Sequence, residues 1–475
     1  MRAKLFTAGW ALLAGVLLVA GTAVPAVAGA GPHAAGPYKV KELRVVSGPS
    51  PFAAGCPGAR FDNAHVAGYE TEPMITVNPA NPRNLVATWK QDTGPAAART
   101  DLVASSLDGG ETWARRTVPG LTVCTGGTAD ATSDPWISAA GDGSVYVSGV
   151  PADLSSLPPP IAVVASRSRD GGRTWSAPVT VTPPRVGNDT DRVTGSPTPA
   201  GHAYLAWANF LPGVFPRTNT LEFSRTTNGG ATWSPPVLID QPGRFAIDFA
   251  PRILVLPGGT LLAVFARGDF QLGLGQLYAA RSRDEGRTWQ PPVLAGARPV
   301  TPPPIDPGTG AELPAGYPGT AAAPDGSVYI AFEDNTSAAS GGIGIARSRD
   351  GGRTWTTGTL PGVNAYAFEP AIAVDSHSTV GVTWYDMRND RPGDDALTAD
   401  VWFAHSNNHG ATWRQTHIAG PTDLRPADLP VPNFVGEYQG LAALRGRGFA
   451  AIFTLAAPQA RNGPTDIFFT RIGPG

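Results

Sequence analysis

One short turn sequence occurs six times along this chain. Its pattern is Ser/Thr-x-Asp/Asn-x-Gly-x-Thr-Trp, and the copies occupy residues 106–113, 168–175, 226–233, 282–289, 348–355 and 406–413. The tryptophans that end successive copies lie 56 to 66 residues apart. Such an interval is typical of a β-propeller blade, because known blade repeats take up roughly 40–50 residues plus their loops. The chain is therefore predicted to consist of blade-sized units.

The residues between two such turns are predicted to form four short strands. In the stretch 247–295, apolar strands are expected at 253–256, 261–266, 277–281 and 292–294, with turn residues between them. Short connections favour neighbouring strands that run antiparallel. Each unit is thus predicted to be a four-stranded antiparallel meander.

The turn between the first and second strand recurs seven times, once more than the tryptophan turn. The last unit, from residue 435 onward, has three predicted strands and no tryptophan turn, and the segment 39–48 is expected to supply its outer strand. Such closure protects the edges of the sheets. We therefore predict an all-β protein, a β-propeller with seven blades, and six blades as the alternative if one unit is irregular.

We interpret the repeated turn as structural. Its Asp or Asn can accept backbone N–H bonds, its Gly can adopt a positive φ, and its Trp can pack a flat ring between neighbouring sheets. Asn replaces Asp in two copies, which fits a structural role better than proton transfer. The residues assigned to this role are Asp108, Asp170, Asn228, Asp284, Asp350 and Asn408.

The first 28 residues have the composition of a secretory signal peptide. Basic residues at positions 2 and 4 precede an apolar run and an Ala-Val-Ala at 26–28. Residues 29–475 are then predicted to be a single secreted, extracellular propeller domain without a membrane-spanning segment. In an oxidising compartment Cys56 and Cys124 are expected to form a disulfide, with two buried thiols as the alternative. The net charge of −2 gives no indication of nucleic-acid binding.

The face opposite the repeated turns is the candidate functional face. In a meander the turns between strands one and two and between three and four share one face, so the longer loops lie on the other, where function is common. Charged residues concentrate there, at Glu72, Asp134, Asp191, Arg192, Asp248, Arg267, Asp269, Glu333, Asp334, Glu369, Asp386, Arg388 and Glu437. Acids and arginines at the mouth of a channel are typical of glycosidic chemistry or of sugar recognition. No zinc, serine-hydrolase or phosphate-loop motif is present, so neither a metal nor a cofactor is expected.

The six tryptophan turns resemble the Asp-box (bacterial neuraminidase) repeats of the sialidase superfamily over residues of about 70 to 470. Sialidases use a Tyr nucleophile activated by a Glu, an Asp acid/base and three arginines that bind the sialic acid carboxylate. The segment 248–269 is similar to a family strand that carries one of these arginines. Aligned at Pro251, Phe249 takes the arginine's position, and strand alternation predicts that Arg252 faces the opposite side from Phe249.

The resemblance implies a site for this chain. The nucleophile is expected at Tyr438 and its base at Glu437 or Glu369. The acid is expected at Asp269 or Asp386. The residues expected to bind an anionic group of the substrate are Arg252, Arg267 and Arg388.

Two functions are compatible with this sequence. The first is a secreted, exo-α-sialidase-like glycoside hydrolase that acts on terminal sugars of extracellular glycans. The alternative is a non-catalytic Asp-box propeller that binds a glycan, a peptide or a cell-wall partner on the same face. In both cases the chain is expected to act as a monomer on a glycan or another extracellular ligand.

Overall fold

The computed structural model describes residues 38–475 apart from 96, 211–217, 270–273, 300–314, 335–340, 392, 395 and 426–434, and without the side chains of 269, 274, 298 and 299. All of these residues belong to one compact unit that begins at residue 37. The predicted signal peptide lies outside the described residues.

The described strands form seven antiparallel sheets; six consist of four consecutive strands each, and the seventh joins the last three strands of the chain to the first two. The first two strands, β1 (Tyr38–Val40) and β2 (Arg44–Val45), precede the blades. Blade 1 consists of β3 (Thr71–Val77), β4 (Leu85–Thr93), β5 (Ala98–Ser106) and β6 (Ala114–Thr117). Blade 2 consists of β7 (Trp136–Ala139), β8 (Val145–Gly149), β9 (Ile161–Ser168) and β10 (Val179–Arg185). Blade 3 consists of β11 (Asn188–Gly195), β12 (Ala203–Phe210), β13 (Asn219–Thr226) and β14 (Val237–Asp240).

The remaining four blades follow the same order. Blade 4 consists of β15 (Ala246–Val255), β16 (Leu261–Asp269), β17 (Leu274–Ser282) and β18 (Val293–Pro299). Blade 5 consists of β19 (Gly319–Ala322), β20 (Val328–Glu333), β21 (Ile343–Ser348) and β22 (Thr356–Thr359). Blade 6 consists of β23 (Ala367–Val374), β24 (Val380–Asp386), β25 (Thr398–Ser406) and β26 (Arg414–Asp423). Blade 7 consists of β27 (Gly440–Ala443), β28 (Phe449–Leu455) and β29 (Asp466–Pro474).

The predicted all-β propeller of seven blades is therefore confirmed. The only helices within the described ranges are two short 3₁₀ helices, Asp62–Ala64 and Val123–Thr125. Neither of these described helices is long and apolar enough to cross a membrane.

The two ends of the chain meet in blade 7. Strand β1 pairs with β29 from Tyr38 opposite Pro474 to Val40 opposite Ile472, and β2 pairs with the same strand at Val45 opposite Phe468. The Tyr38 ring is buried against the rings of Phe403 and His405. The first described strands thus cover the outer edge of the last one, which leaves its N–H and C=O groups paired.

Each tryptophan turn is held by hydrogen bonds to its own Asp or Asn. In the fifth copy, Asp350 Oδ1 accepts the backbone N–H of Arg353 at 3.0 Å and that of Thr354 at 2.9 Å, while Ser348 Oγ accepts the N–H of Gly352 at 2.8 Å. The bond from the backbone N–H four residues on recurs at Asp108, Asp170, Asn228, Asp284, Asp350 and Asn408.

The blades pack on one another through buried side chains and through partly buried tryptophans of the repeated turns. The Trp113 ring of blade 1 lies edge-on against Phe469 of blade 7 at 5.2 Å, and Trp289 of blade 4 lies in the same way against Phe223 of blade 3 at 5.3 Å. The predicted disulfide between Cys56 and Cys124 is present and ties the segment before blade 1 to the segment before blade 2.

Candidate functional site

Seven equivalent positions surround the central channel where the innermost strand of each blade begins. In every blade the fourth residue of the second strand pairs with a residue of the first strand; in blade 1, Thr88 pairs with Met74. We call the residue two positions before this first-strand residue the ring position, which in blade 1 is Glu72. The ring positions are Glu72, Asp134, Thr190, Ala250, Tyr317, Glu369 and Tyr438.

The backbone is left-handed at five of the ring positions. Their φ angles are 55° at Glu72, 56° at Asp134, 51° at Thr190, 52° at Ala250 and 49° at Glu369. Such a conformation costs a non-glycine residue about 1–3 kcal/mol and is concentrated at functional sites. The pairing register shifts at this point in blades 1, 3, 4 and 6. These bulges turn the ring side chains away from plain strand alternation.

Neighbouring blades hold one another at the ring. Asp134 Oδ2 of blade 2 accepts the backbone N–H of Thr190 of blade 3 at 2.9 Å, and Thr190 Oγ1 accepts the N–H of Ala250 of blade 4 at 3.2 Å. Glu333 Oε1 of blade 5 accepts the N–H of Glu369 of blade 6 at 3.1 Å. Since a side chain of one blade fixes the backbone of the next, the ring is a rigid frame.

Four carboxyl groups converge beside this ring, and we call Glu72, Asp134, Asp189 and Glu437 the carboxylate pocket. One oxygen each from Glu72, Asp134 and Glu437 lie within 4.8 Å of one another. Asp189 joins them because its Oδ1 accepts the same Thr190 N–H that binds Asp134, at 2.8 Å. Glu72 and Asp134 are only 1% and 6% exposed, whereas Glu437 and Asp189 are partly exposed. The first two form the floor of the pocket and the other two its rim.

One lysine compensates part of this charge. Lys90, on the second strand of blade 1, is buried and its Nζ lies 3.2 Å from Glu72 Oε1. Burial raises the pKa of Glu72, and the Lys90 ammonium opposes that rise. A single ammonium cannot balance four carboxylates, so the pocket retains protons at neutral pH.

Glu437 and Asp189 carry these protons most readily. Burial, followed by the charges of Glu72 and Asp134, raises the pKa of Glu437 to about 8. Burial and the charge of Asp134 raise the pKa of Asp189 well above its ordinary value. Glu437 is therefore a proton donor at neutral pH, and both groups are partly exposed.

Two tyrosines and an arginine complete the wall. Tyr317 donates its backbone N–H to the Glu437 carbonyl at 2.7 Å, and its hydroxyl hydrogen-bonds to the Glu437 carboxyl group. The Tyr438 hydroxyl donates to the carbonyl of Pro135 at 3.1 Å. Arg192 Cζ lies 5.3 Å from the centre of the Tyr317 ring and 5.8 Å from that of Tyr438. Burial and the charges of Glu72 and Asp134 raise the pKa of Tyr438 well above its usual value, so the phenol is neutral.

Several residues expected from the sequence meet here, and others do not. Tyr438, Glu437 and Glu369 lie at or beside the ring. Glu369 is 1% exposed, and its carboxylate oxygens have no hydrogen bond within the described part of the chain. Burial and the charges of Glu333, Glu72 and Glu437 raise the pKa of Glu369 well above its ordinary value.

Asp386 and Arg388 form a pair of their own in blade 6. Arg388 Nε lies 2.9 Å from both Asp386 carboxylate oxygens, and Arg388 Cζ lies 3.9 Å from the centre of the Trp402 ring. Asp386 also accepts the indole N–H of Trp384 at 2.8 Å. This guanidinium is already neutralised and stacked.

Arg267 is engaged in blade 4. Its guanidinium binds the carboxylates of Asp248 and Asp240 and stacks on the Tyr278 ring, with Cζ 4.3 Å from the ring centre. Asp269 ends β16, and its side chain lies outside the described residues.

The expectation that Arg252 faces the opposite side from Phe249 is wrong. Phe249 pairs with Ala266 and Arg252 pairs with Val264, and these two partners are two residues apart in β16. Residues two apart in a strand share a face, so Phe249 and Arg252 share one as well. The bulge at Ala250 adds the residue that breaks the alternation.

Sequence reasoning missed Lys90, Asp189 and Tyr317. A signal for the ring was present, because proline follows the ring residue in five blades, at positions 73, 135, 251, 318 and 370. The Tyr-Pro at 317–318 belongs to this series and was passed over. No sequence signal pointed to Lys90. A lysine within an apolar strand does not indicate which carboxylate of the channel its ammonium will contact.

The fold and this pocket define a seven-bladed β-propeller with a carboxylate-lined ring at one end of its channel. No protein-family model matches the sequence, and no curated protein matches it. The solved structures to which it is similar include a protein of unknown function from Dyadobacter fermentans, with 11% identity, 92% of this chain and 99% of that chain covered, and a TM-score of 0.49.

Two further structures to which the chain is similar are glycosidases by name. The NanB sialidase of Streptococcus pneumoniae has 11% identity, 86% and 93% coverage of the two chains and a TM-score of 0.47. The α-L-arabinofuranosidase of Fusarium graminearum has 13% identity, 72% and 93% coverage and a TM-score of 0.46. With identities and scores this low, the function has to be argued from the site itself.

Proposed function

We propose that this protein is a secreted glycoside hydrolase that acts on terminal sugars of extracellular glycans in the carboxylate pocket. The observation that carries the proposal is the pairing of unlike carboxyl groups in one place. Glu437 keeps its proton to a pKa of about 8, and its oxygen lies within 4.8 Å of an Asp134 oxygen. Cleavage of a glycosidic bond requires one carboxyl group that donates a proton and a second carboxyl group close to it.

The proposed roles follow from exposure and charge. Glu437, on the rim, donates its proton to the glycosidic oxygen while the C–O bond of the sugar breaks. The Asp134 carboxylate bonds to the anomeric carbon, and water then releases the sugar as Glu437 takes back a proton. The short separation supports such a double displacement, because inverting enzymes hold the two carboxyl groups roughly 6.5–9.5 Å apart to admit water.

Tyr438 is the other candidate nucleophile, as the resemblance to sialidases implies. Its hydroxyl lies beside the Glu72 carboxyl group, so Glu72 would serve as its base in place of Glu437 or Glu369. The raised pKa of the phenol opposes this role. For this reason we assign the attack to Asp134 and treat Tyr438 as part of the wall.

The charge of the pocket supports a sugar without a carboxylate rather than a sialic acid. Arg267 and Arg388 are each paired with carboxylates of their own blade. Arg192 lies over the Trp136 ring, with Cζ 4.4 Å from its centre, and is 2% exposed. Neither rim residue, Glu437 nor Asp189, offers the positive charge that an anionic sugar requires.

The test is release of 4-methylumbelliferone from a panel of uncharged glycopyranosides and glycofuranosides and from the α-sialoside. We expect turnover of at least one uncharged glycoside, a loss of about 100-fold or more in Glu437→Gln and Asp134→Asn, and none in the exposed control Glu42→Gln. Loss of activity in Tyr438→Phe to the same degree would move the nucleophile to the phenol. Absence of turnover for every glycoside would sink the enzymatic proposal.

The second candidate is a non-catalytic propeller that binds a glycan at the same pocket. One observation favours it. The Tyr438 hydroxyl is occupied by the carbonyl of Pro135 and its ring is only 6% exposed. Binding of an oligosaccharide that Glu437→Gln leaves intact, without turnover by the wild type, would establish this function instead.

A further inference from the structure

A second cavity lies in the channel beyond the ring, toward the turns between first and second strands. Its volume is about 310 Å³, and its walls are the innermost strands of the blades. None of the four carboxylates of the carboxylate pocket lines it. Trp136 and Arg252, each two residues past a ring position, stand at its ring end, and Pro197 marks the turn side. It is therefore a separate compartment of the same channel.

Arg252 brings an uncompensated positive charge into this cavity. Within the described ranges its guanidinium has no ion pair and no hydrogen bond, and Cζ lies 5.3 Å from the centre of the Trp136 ring. Burial, and then the charge of Arg192, lower the pKa of Arg252 to about 10. The guanidinium is still charged at neutral pH, and no carboxylate contributes to its surroundings. Arg252 is half-buried, and a charge drawn away from water without a counter-ion is unfavourable, so the site favours an anion.

Two hydroxyl groups of the same cavity are free to donate. Ser138 Oγ accepts the backbone N–H of Gly195 at 3.0 Å, and Thr76 Oγ1 accepts that of Ala139 at 3.0 Å. Each oxygen is thus used as an acceptor, and its own proton has no acceptor among the described residues. Thr76 and Ser138 line the cavity together with Arg252. A planar guanidinium fork and hydroxyl donors are the groups that recognise carboxylate and phosphate oxygens.

We propose that this lower channel binds a small oxyanion, a carboxylate or a phosphate, on the guanidinium of Arg252. The anion neutralises Arg252 and connects the innermost strands from inside the channel. The site is distinct from the carboxylate pocket and does not depend on the proposed hydrolase activity. The two parts of the channel then differ in the charge that the protein presents: carboxyl groups lie at the ring, and the Arg252 guanidinium lies in the second cavity.

The test is calorimetric titration of the full chain with sodium phosphate and, separately, with sodium acetate, at constant ionic strength. We expect one site per chain for at least one of these anions, and their relative affinities decide between phosphate and carboxylate. Arg252→Met should weaken binding by roughly tenfold or more. Arg349→Met removes an exposed arginine from a tryptophan turn and should change nothing.

A second measurement keeps the proposal testable if Arg252→Met does not fold. Arg252→Lys keeps the charge but loses the fork, and should weaken binding several-fold. Crystals soaked in selenate should show anomalous density beside the Arg252 guanidinium. Saturable binding that Arg252→Met leaves unchanged, no binding by the wild type, or selenate absent from the channel would each mean that water alone solvates this arginine.

Discussion

Asp134 and Asp189 accept hydrogen bonds from one and the same backbone N–H, that of Thr190, at 2.9 and 2.8 Å. The two carboxyl groups come from neighbouring blades, and the charge of Asp134 adds to burial in raising the pKa of Asp189. A proton on Asp189 removes the repulsion between these two neighbouring carboxyl groups, which is why the pKa of Asp189 is raised.

Replacing Asp189 by asparagine should mimic the protonated member of this pair. The amide keeps an oxygen for the Thr190 N–H and supplies a permanent donor for Asp134. Because the surroundings of Asp189 oppose its ionisation, we expect Asp189→Asn to raise the free energy of unfolding by about 1 kcal/mol more at pH 8 than at pH 5. Urea denaturation at both pH values measures this. Asp153→Asn, at an exposed aspartate, is the control, and equal destabilisation at both pH values would contradict the raised pKa of Asp189.

Stability should fall as the pH rises from about 4.5 to about 8. The folded-state pKa of Glu437 is raised to about 8, so the folded protein holds a proton that the unfolded chain has released. The resulting stabilisation is complete below the unfolded pKa of about 4.3 and is lost as the pH rises through 8. Glu72 and Glu369, whose pKa values are also raised, act in the same direction. Melting temperatures across this range measure the decline, which Glu437→Gln should reduce.

Acid should destabilise the protein through different residues. Hydrogen bonds from the hydroxyl and the backbone N–H of Thr288 lower the pKa of Asp284 to about 2. Stability from the repeated turns is therefore present above the unfolded pKa of about 3.9 and is lost below it. Together with the Glu437 effect, this places the stability maximum near pH 4–5. A maximum above pH 7 would show that the buried acids do not hold their protons.

The repeated turns should tolerate asparagine but not alanine. Asn408 Oδ1 accepts the Thr412 N–H at 2.9 Å, and its Nδ2 donates to the Thr412 hydroxyl at 2.8 Å. Asp350→Asn should therefore be nearly neutral, whereas Asp350→Ala should cost roughly 1 kcal/mol because the turn N–H groups lose their acceptor. Thermal unfolding of both variants measures the difference. Equal losses in the two would show that the carboxylate charge, not the acceptor, stabilises the turn.

Removing the disulfide should destabilise the fold without changing the site. Cys56 and Cys124 are 68 residues apart, and in the chain-entropy treatment a loop of this length is worth roughly 4 kcal/mol. Cys56→Ser/Cys124→Ser should lower the urea midpoint accordingly. Reduction of the wild type with dithiothreitol should reproduce the shift, and an unchanged midpoint in both cases would mean that the bond does not constrain the unfolded chain.

The propeller could be predicted because its signals are local. The turn around Asp350 is written within eight residues, and the same eight letters stand at 168–175. The alternation of apolar residues and the repeat length then predicted four strands in each blade, and the number of turns between first and second strands predicted seven blades. The disulfide followed from two cysteines in a chain with a predicted signal peptide, which itself stays a prediction.

The candidate site could be predicted only in part. Glu72, Asp134 and Glu437 were recognisable as charged residues at the starts of blades, but the expected site combined Glu437 with Asp386 and Arg388 of the segment 385–390. In the structure Asp386 and Arg388 of that segment satisfy each other in blade 6. Because Asp386 and Arg388 are two residues apart, they can form a local ion pair, and the sequence analysis did not consider this pair.

By itself the sequence determined an all-β ring of seven blades held by repeated turns, because hydrogen bonds within a turn and alternation within a strand depend on residues near in the chain. The tertiary structure alone decided that Asp134 meets Asp189, that Lys90 reaches Glu72 and that Arg252 is left without a counter-ion. These relations join different strands or blades around a channel, and bulges at the ring change the direction of side chains. Burial and the distances between charges, which set the pKa values, exist only once the ring has closed.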